Sequence, residues 1–348
     1  MHVACLTVGD TQRMTGGYLY HREVFARLQK AGVTITELVP SGADLAAQLI
    51  AAPKLGGFDP SAYDLLLIDA LARGLCAHWA DRWRAVRPLV ALVHELPSVA
   101  GVDSTTVGDL ELEAPLLRAD RLITVSEHGR HILEDRGVAS DRITVAPGGY
   151  DRLTSPAAAP GEGSSKHPLT AVCVAQWIPR KGILDLVRAW SQAAPAGARL
   201  ELIGETDADP AYTRTVQAAI ARAPTASIVV HGPISDAALV EAYRRADLFV
   251  LPSRYEGYGL VFAEALAQGL PIIGYAVGPV PHLVGPEAGI LTASGNLTHL
   301  VAALRQLLNN PAQRMQMAAA ARNRAAELPT WDDTAARVLE ALHAARQR

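Results

Sequence analysis

RYEGYGLVFAEALAQG, residues Arg254–Gly269, follows an apolar run from Asp247 to Leu251 and the pair Pro252-Ser253. The run predicts a buried strand. Glu256-Gly257-Tyr258-Gly259 predicts a short loop, and Val261, Phe262, Ala265 and Leu266 have the spacing of a helix that begins near Leu260. Gly269 and Pro271 end that helix. A glycine loop between strand and helix leaves backbone N–H groups unpaired at the helix start, where an anion fits. Two carboxylates bracket the place, Glu256 in the loop and Glu264 about one turn inside the helix. Carboxylates do not bind phosphate, but they accept hydrogen bonds from hydroxyls. A nucleotide sugar has hydroxyls on both sides of its diphosphate, so the pattern fits amides on the phosphates and one Glu on each side. An ordinary surface helix with a glycine start satisfies the same residues.

The same alternation extends to both ends of the chain. Upstream, apolar strands are expected at Leu169–Ala175, Arg199–Ile203 and Ser227–Val230, and downstream at Pro271–Gly274. Helices at Gly182–Ala193, Pro210–Arg222 and Ser235–Arg245 separate them, with Pro210 and Ser235 as helix starts. A first series has strands at Val3–Val8, Val33–Val39, Leu65–Ile68, Leu89–Val93, Leu122–Val125 and Ile143–Val145. Its first helix is expected over Tyr18–Ala31, after a polar loop holding Gly16-Gly17. Strands alternating with helices imply an α/β chain with parallel sheets covered on both faces. Residues 154–168, TSPAAAPGEGSSKHP, have no apolar period and read as a linker. The domains are therefore expected at 1–153 and 154–330, with a cleft between them as the default ligand site. The rest is helical and ends in an amphipathic helix over 331–348.

A chain of 348 residues suits two domains. Net charge is −3, from 32 basic and 35 acidic residues, and no basic block marks a nucleic-acid surface. Cys5, Cys76 and Cys173 are far apart, odd in number and without metal-ligand spacing, so buried free thiols in a reducing compartment are expected. The N-terminus leads straight into a strand, without a signal peptide, and no apolar run reaches the roughly 18 residues of a membrane span. A cytoplasmic protein is the expectation, with peripheral membrane contact left open.

The PSRYEGYGLVFAEALAQGLPII segment also resembles the donor site of glycosyltransferase family 4. Glu256, seven intervening residues and Glu264 are similar to the Glu-x7-Glu motif of retaining enzymes with two Rossmann-like domains (the GT-B architecture). The resemblance is strongest from Cys173 to Ile290, looser from Arg121 to Asp151 and thin before that. The VAQWIPRKG and LPSRYEGYGLVFAEAL stretches are most similar to a bacterial subgroup of small glycosyltransferases. It implies an N-terminal acceptor-binding domain, a C-terminal nucleotide-sugar domain and a last helix that crosses back onto the first domain.

Further residues join this reading. Arg180-Lys181-Gly182 follows the strand Leu169–Ala175 and opens a helix, where basic side chains oppose the helix dipole unless they have an anion to hold. The resemblance puts a diphosphate-binding basic residue at Lys181. It also implies an Arg five residues earlier, where this chain has Gln176, so charge on the donor rests on Lys181 and Arg180. Gly16 and Gly17 would let backbone approach the donor. His94 lies at the carboxyl end of a predicted strand, where α/β sites form, and the resemblance gives it contact with the transferred sugar. Ser126-Glu127 reads mainly as a helix cap, and the orientation of Glu111 and Glu113 is open. Asp207-Ala-Asp209 has the form of a manganese-binding pair, but its place before Pro210 reads as loop and helix-start chemistry. No other metal cluster is visible.

The resulting expectation is a retaining hexosyltransferase that uses a UDP- or GDP-sugar and no obligatory metal. Catalytic roles fall to His94, Lys181 and Glu256. Donor binding falls to Gly16, Gly17, Gln176, Arg180, Lys181, Gly204, Pro233, Ile234, Glu256, Gly257, Tyr258, Gly259, Leu260 and Glu264. Glu256 would take the sugar hydroxyls and Glu264 the ribose, while Gly204 and Pro233-Ile234 hold the base. The acceptor is a small molecule, glycan or lipid, and no nucleic acid is involved. The oligomeric state is open. Two alternatives stay open: an epimerase or phosphorylase on the same architecture, and a non-catalytic sugar-nucleotide-binding subunit.

Overall fold

The computed structural model describes residues 1–347 apart from 12, 14, 41–43, 102–106, 154–167 and 224–227. The expected linker at 154–168 thus lies, except for Pro168, outside the described residues. Two compact units form, Met1–Gly149 with Pro329–Arg348, and Tyr150–Leu328. Tyr150–Leu153, expected to end the first domain, belong to the second unit. Among the described residues, no helix is long and apolar enough to cross a membrane.

The first unit has strands β1 (His2–Leu6), β2 (Thr34–Leu38), β3 (Leu65–Asp69), β4 (Leu89–Val93), β5 (Arg121–Thr124) and β6 (Ile143–Val145). They form a parallel sheet in the order β2-β1-β3-β4-β5-β6. The register pairs Leu6 with Ile68, Ile68 with Ala91 and Ala91 with Leu122. β3 and β4, in the middle of the sheet and covered by helices on both faces, are buried at every position, whereas the edge strand β2 (TITEL) stays partly exposed. The order reverses between β1 and β3, so the carboxyl ends of these strands flank a crevice. The helix Trp331–Arg346 belongs to this unit. Trp331 meets Tyr20 edge to face at 5.8 Å, Thr334 donates to the Pro147 carbonyl at 2.6 Å, and Arg27 pairs with Asp332 at 2.6 Å.

The second unit has β7 (Thr170–Val174), β8 (Arg199–Ile203), β9 (Ile228–Gly232), β10 (Leu248–Leu251), β11 (Ile272–Tyr275) and β12 (Gly289–Thr292). The order β12-β11-β10-β7-β8-β9 is again parallel. It is the doubly wound dinucleotide-fold order, with its switch point between β7 and β10. The first sheet has a different order, so the two halves are alike in layers rather than in topology. β12 has no counterpart among the expected strands: its residues are mostly half-buried and its run is short. Large aromatic side chains fill this core, with Trp177, Trp190, Tyr243, Phe249, Phe262 and Tyr275 all under 2% exposed.

Candidate active site

At the switch point of the second sheet, the segments leaving β7 and β10 lie side by side. Gly182 explains how they come so close. It has φ +68° and starts the helix Ile183–Ala193, and a β-carbon on it would lie 2.0 Å from the Pro252 carbonyl oxygen. Only glycine tolerates both the left-handed backbone and that contact. The Arg254 N–H donates to the Arg180 carbonyl at 2.7 Å and ties the two segments together. Lys181 Nζ then reaches Glu256 Oε1 at 2.7 Å, across 75 residues of sequence. The Ser253 hydroxyl donates to the same oxygen at 2.6 Å. Burial pushes the Glu256 carboxyl up, but Lys181, Arg180 and Ser253 more than offset this and hold it below its ordinary range. It is therefore a buried carboxylate at neutral pH.

The following helix spans Leu260–Ala267 and starts from Gly259 at φ +99°. Its first internal hydrogen bonds run from the Phe262 and Ala263 N–H groups to the Gly259 carbonyl, so the amides of Leu260 and Val261 lie ahead of the ladder. Gly257 and Tyr258 are half-buried in this segment. The residues expected to hold the base lie at the carboxyl ends of neighbouring strands. Gly204 follows β8 and donates to the Gly232 carbonyl at 2.9 Å; Pro233 and Ile234 follow β9. Gln176 donates to Glu205 Oε2 at 2.6 Å, so its amide is already engaged.

Glu264 differs from expectation in its surroundings. Arg152 donates to Glu264 Oε1 from Nε at 3.0 Å and from Nη2 at 2.7 Å, and the Tyr243 hydroxyl donates to Oε2 at 3.3 Å. Arg152 also contacts Asp236 Oδ1 at 2.6 Å. Glu264 is 3% exposed, and its burial raises the carboxyl above its ordinary value despite the pull of Arg152. A carboxylate offers about four lone-pair sites, and three are used here. Sequence reasoning missed Arg152, because nothing local connects it with a carboxylate 112 residues away.

In the first unit, Gly16 and Gly17 are not in a loop. They are the first residues of the helix Gly16–Lys30, whose buried face begins at Leu19. A β-carbon on Gly17 would lie 3.6 Å from the His94 ring, an ordinary contact. His94 follows β4 and is half-buried, with its Nε2 3.2 Å from His21 Nε2. His21 Nε2 is 3.5 Å from Asp69 Oδ2 at the end of β3. Burial lowers the pKa of both imidazoles, that of His94 to about 4. The sequence offered no metal-ligand spacing here, yet the fold gathers three ligand-type side chains. Glu113, whose orientation was open, turns inward: it is 1% exposed and accepts from the Ser98 N–H at 2.8 Å and the Ser98 hydroxyl at 2.5 Å. Asp209 caps the helix Pro210–Arg222 through the N–H groups of Ala211 and Tyr212, and Ser126 caps Glu127–Asp135. A groove of about 640 Å³ between the helices Ile183–Ala193 and Pro210–Arg222 holds Arg188, Arg214 and Arg222 but none of the site residues.

Known proteins bear on this arrangement. The family model described as Glycosyl transferases group 1 matches residues 157–324, nearly the whole second unit. An MMP alpha-(1->4)-mannosyltransferase of Mycolicibacterium hassiacum is 29% identical over 240 residues, 67% of this chain and 56% of its own length. A D-inositol 3-phosphate glycosyltransferase of Thermomonospora curvata is 28% identical over 319 residues, 81% of this chain and 72% of its own. The chain thus spans little more than half the length of the first of these relatives. Among solved structures, a sucrose-phosphate synthase from Thermosynechococcus elongatus superposes with a TM-score of 0.80 at 22% identity, covering 97% of both chains. Anabaena Alr3699/HepE, solved with UDP and glucose, gives 0.80 at 19% identity over 99% of both. The fold is the two-sheet architecture of these solved structures, and the site of the second unit, apart from Arg152, lies inside the matched segment. By this match, residues 157–324 are similar to the group 1 glycosyltransferases.

Proposed function

We propose that the protein is a retaining glycosyltransferase of the family 4 type, which moves a sugar from a nucleoside-diphosphate sugar to an acceptor without a metal in the transfer step. The observation that carries this reading is the Lys181–Glu256 pair at the switch point, beside a helix start with amides ahead of its ladder. An ammonium has three donors. Lys181 keeps Glu256 with one and has others for a diphosphate, which the Leu260 and Val261 amides also favour. Charge that develops on the departing diphosphate meets donors already fixed in place. Glu256, held as a carboxylate, takes hydroxyls of the sugar. For Glu264 the reading leaves one lone pair on Oε2 for the ribose. Gly204, Pro233 and Ile234 line the base side.

In the first unit, the same reading gives Gly16, Gly17 and His94 a role toward the transferred sugar. Neither buried glutamate of the donor site is free enough to serve as a covalent nucleophile: Glu256 is held by Lys181 and Ser253, Glu264 by Arg152. Same-face attack fits instead. The acceptor oxygen bonds to the anomeric carbon as the bond to the diphosphate breaks, and the departing phosphate oxygen takes the acceptor proton. The solved likeness with UDP-glucose supports a uridine donor, with GDP as the second choice. The acceptor is a small molecule, glycan or lipid. The three cysteines are free and buried, which supports work in a reducing cytoplasm.

The test is transfer from α-linked UDP- and GDP-sugars, with the product's anomeric configuration read by NMR. An α linkage is expected. A β-linked product would overturn the retaining assignment.

A further inference from the structure

The groove of about 640 Å³ between the helices Ile183–Ala193 and Pro210–Arg222 has the size of a small-molecule site and contains none of the donor-site residues. Each helix gives it one face. Leu184, Val187, Arg188 and Ser191 recur at the three- and four-residue spacing of a single stripe, as do Arg214, Ala218 and Arg222 opposite them. Alanine between the two arginines leaves the trough open. The Leu184 N–H donates to the Tyr212 hydroxyl at 3.0 Å and ties the two helices together at one end.

Charge sets this groove apart. The chain has a net charge of −3, yet these two helices and the neighbouring Leu297–Asn309 carry four arginines and one acidic residue. That acid, Asp185, is engaged by Arg254 at 3.0 Å and by the Tyr275 hydroxyl at 3.2 Å. Arg305, the arginine of the third helix, donates to the Gln192 carbonyl at 2.8 Å, so it adds charge at the rim. Arg188, Arg214 and Arg222 are exposed and have no carboxylate partner among the described residues. By contrast, the exposed Arg244 and Arg245 of the same unit pair with Glu241 at 2.9 Å and Glu201 at 3.8 Å.

Arg214 and Arg222 stand about 12 Å apart along their helix, with Arg188 on the other wall. A guanidinium fork binds phosphate through two N–H groups. One phosphate monoester carries about −1.5 to −2 at neutral pH, so two of them balance three arginines, whereas two carboxylates do not. Hydroxyl-binding groups lie along the same walls. Ser191 Oγ donates to the Val187 carbonyl at 2.8 Å and Thr215 Oγ1 to the Ala211 carbonyl at 3.1 Å, which leaves both oxygens as acceptors. The Gln192 amide donates to the Arg188 carbonyl at 3.2 Å and keeps Oε1 as an acceptor.

We propose that this groove binds a small sugar or polyol that carries two phosphate groups. Arg188, Arg214 and Arg222 hold the phosphates, and Ser191, Gln192 and Thr215 accept from the hydroxyls between them. The occupant is a second ligand, distinct from the donor that the proposed function assigns to Lys181.

The experiment is calorimetry on the whole protein at fixed ionic strength, with fructose 1,6-bisphosphate as the probe. Saturable binding of one equivalent is expected. Fructose 6-phosphate, inorganic phosphate and tripolyphosphate should each bind at least about tenfold more weakly, the first two for want of a second phosphate and the last for want of hydroxyls. Arg188→Ala, Arg214→Ala and Arg222→Ala should each weaken the bisphosphate by about tenfold with unchanged circular dichroism. Lys54→Ala, which removes an exposed charge from the first unit, should bind like the wild type. Lys181→Ala should also bind like the wild type, so failure of the donor reading and failure of this one are told apart. Absence of saturable binding, or equal affinity in the three arginine variants and the wild type, would overturn the site. Loss confined to Lys181→Ala would place the bisphosphate at the donor site instead. Equal binding of tripolyphosphate would overturn the polyol assignment, and binding only to vesicles of anionic phospholipid would make the groove a membrane contact.

Discussion

Replacing Arg152 by Ala removes the one full positive charge that, among the described residues, touches Glu264. Both partners are buried, with side-chain exposures of 6% and 4%. Truncating one member of such a pair costs about 3–5 kcal/mol, because the other charge stays buried without compensation. Glu264 would keep the Tyr243 hydroxyl at 3.3 Å. Its carboxyl is already raised by burial, and without Arg152 it rises further. The sign with pH follows. A carboxyl whose folded pKa lies above its unfolded value destabilises the fold when ionised, and that cost disappears as pH falls through the folded pKa. The loss in Arg152→Ala should therefore be largest near pH 7.5 and shrink on acidification. Hydrogen exchange read peptide by peptide measures it. Peptides from β7, β10 and Leu260–Ala267 should lose protection by about two to three and a half orders of magnitude at pH 7.5, with each 1.4 kcal/mol worth tenfold. A loss below tenfold, or one that does not shrink at low pH after correction for intrinsic exchange, would refute the reasoning.

Three further outcomes are expected. Lys181→Ala should weaken binding of the donor by the roughly 1.5–3 kcal/mol of a charged hydrogen bond, about ten- to hundredfold by calorimetry; unchanged affinity would move the diphosphate elsewhere. Glu256→Gln frees Lys181 from its counter-charge, so it should slow sugar transfer without weakening binding of the free nucleoside diphosphate, and equal losses in both would remove the division of labour. Turnover should survive EDTA, because the diphosphate is met by Lys181 and backbone amides; activity lost on chelation and restored by manganese would contradict the metal-free transfer step.

Much of the donor side is legible in the amino-acid sequence. The strand at Leu248–Leu251, the glycine loop and the helix near Leu260 follow from apolar spacing and glycine placement, which are local signals. Lys181 and Glu256 can be named for the same reason, since each stands beyond the end of a predicted strand. Helix starts at Pro210 and Ser235 carry their chemistry in the residue itself. Gly16 and Gly17 read as a loop because paired glycines suit a turn, whereas the packing of Leu19, Tyr20 and Val24 draws them into the helix.

By itself, then, the sequence determined the alternating α/β build and, apart from β12, the two series of strands to within a residue or two at their ends. Only the tertiary structure decided which strand ends are neighbours. Apolar periodicity reports one element at a time, while sheet order depends on where each crossover returns. So Lys181 and Glu256 become an ion pair only because β7 lies beside β10. Arg152 closes on Glu264 from 112 residues away, and His21 meets His94 across 73. Those contacts place charge and ligand atoms in buried ground, where their strength depends on how much water the surrounding layers exclude, and that exclusion exists only in the folded chain.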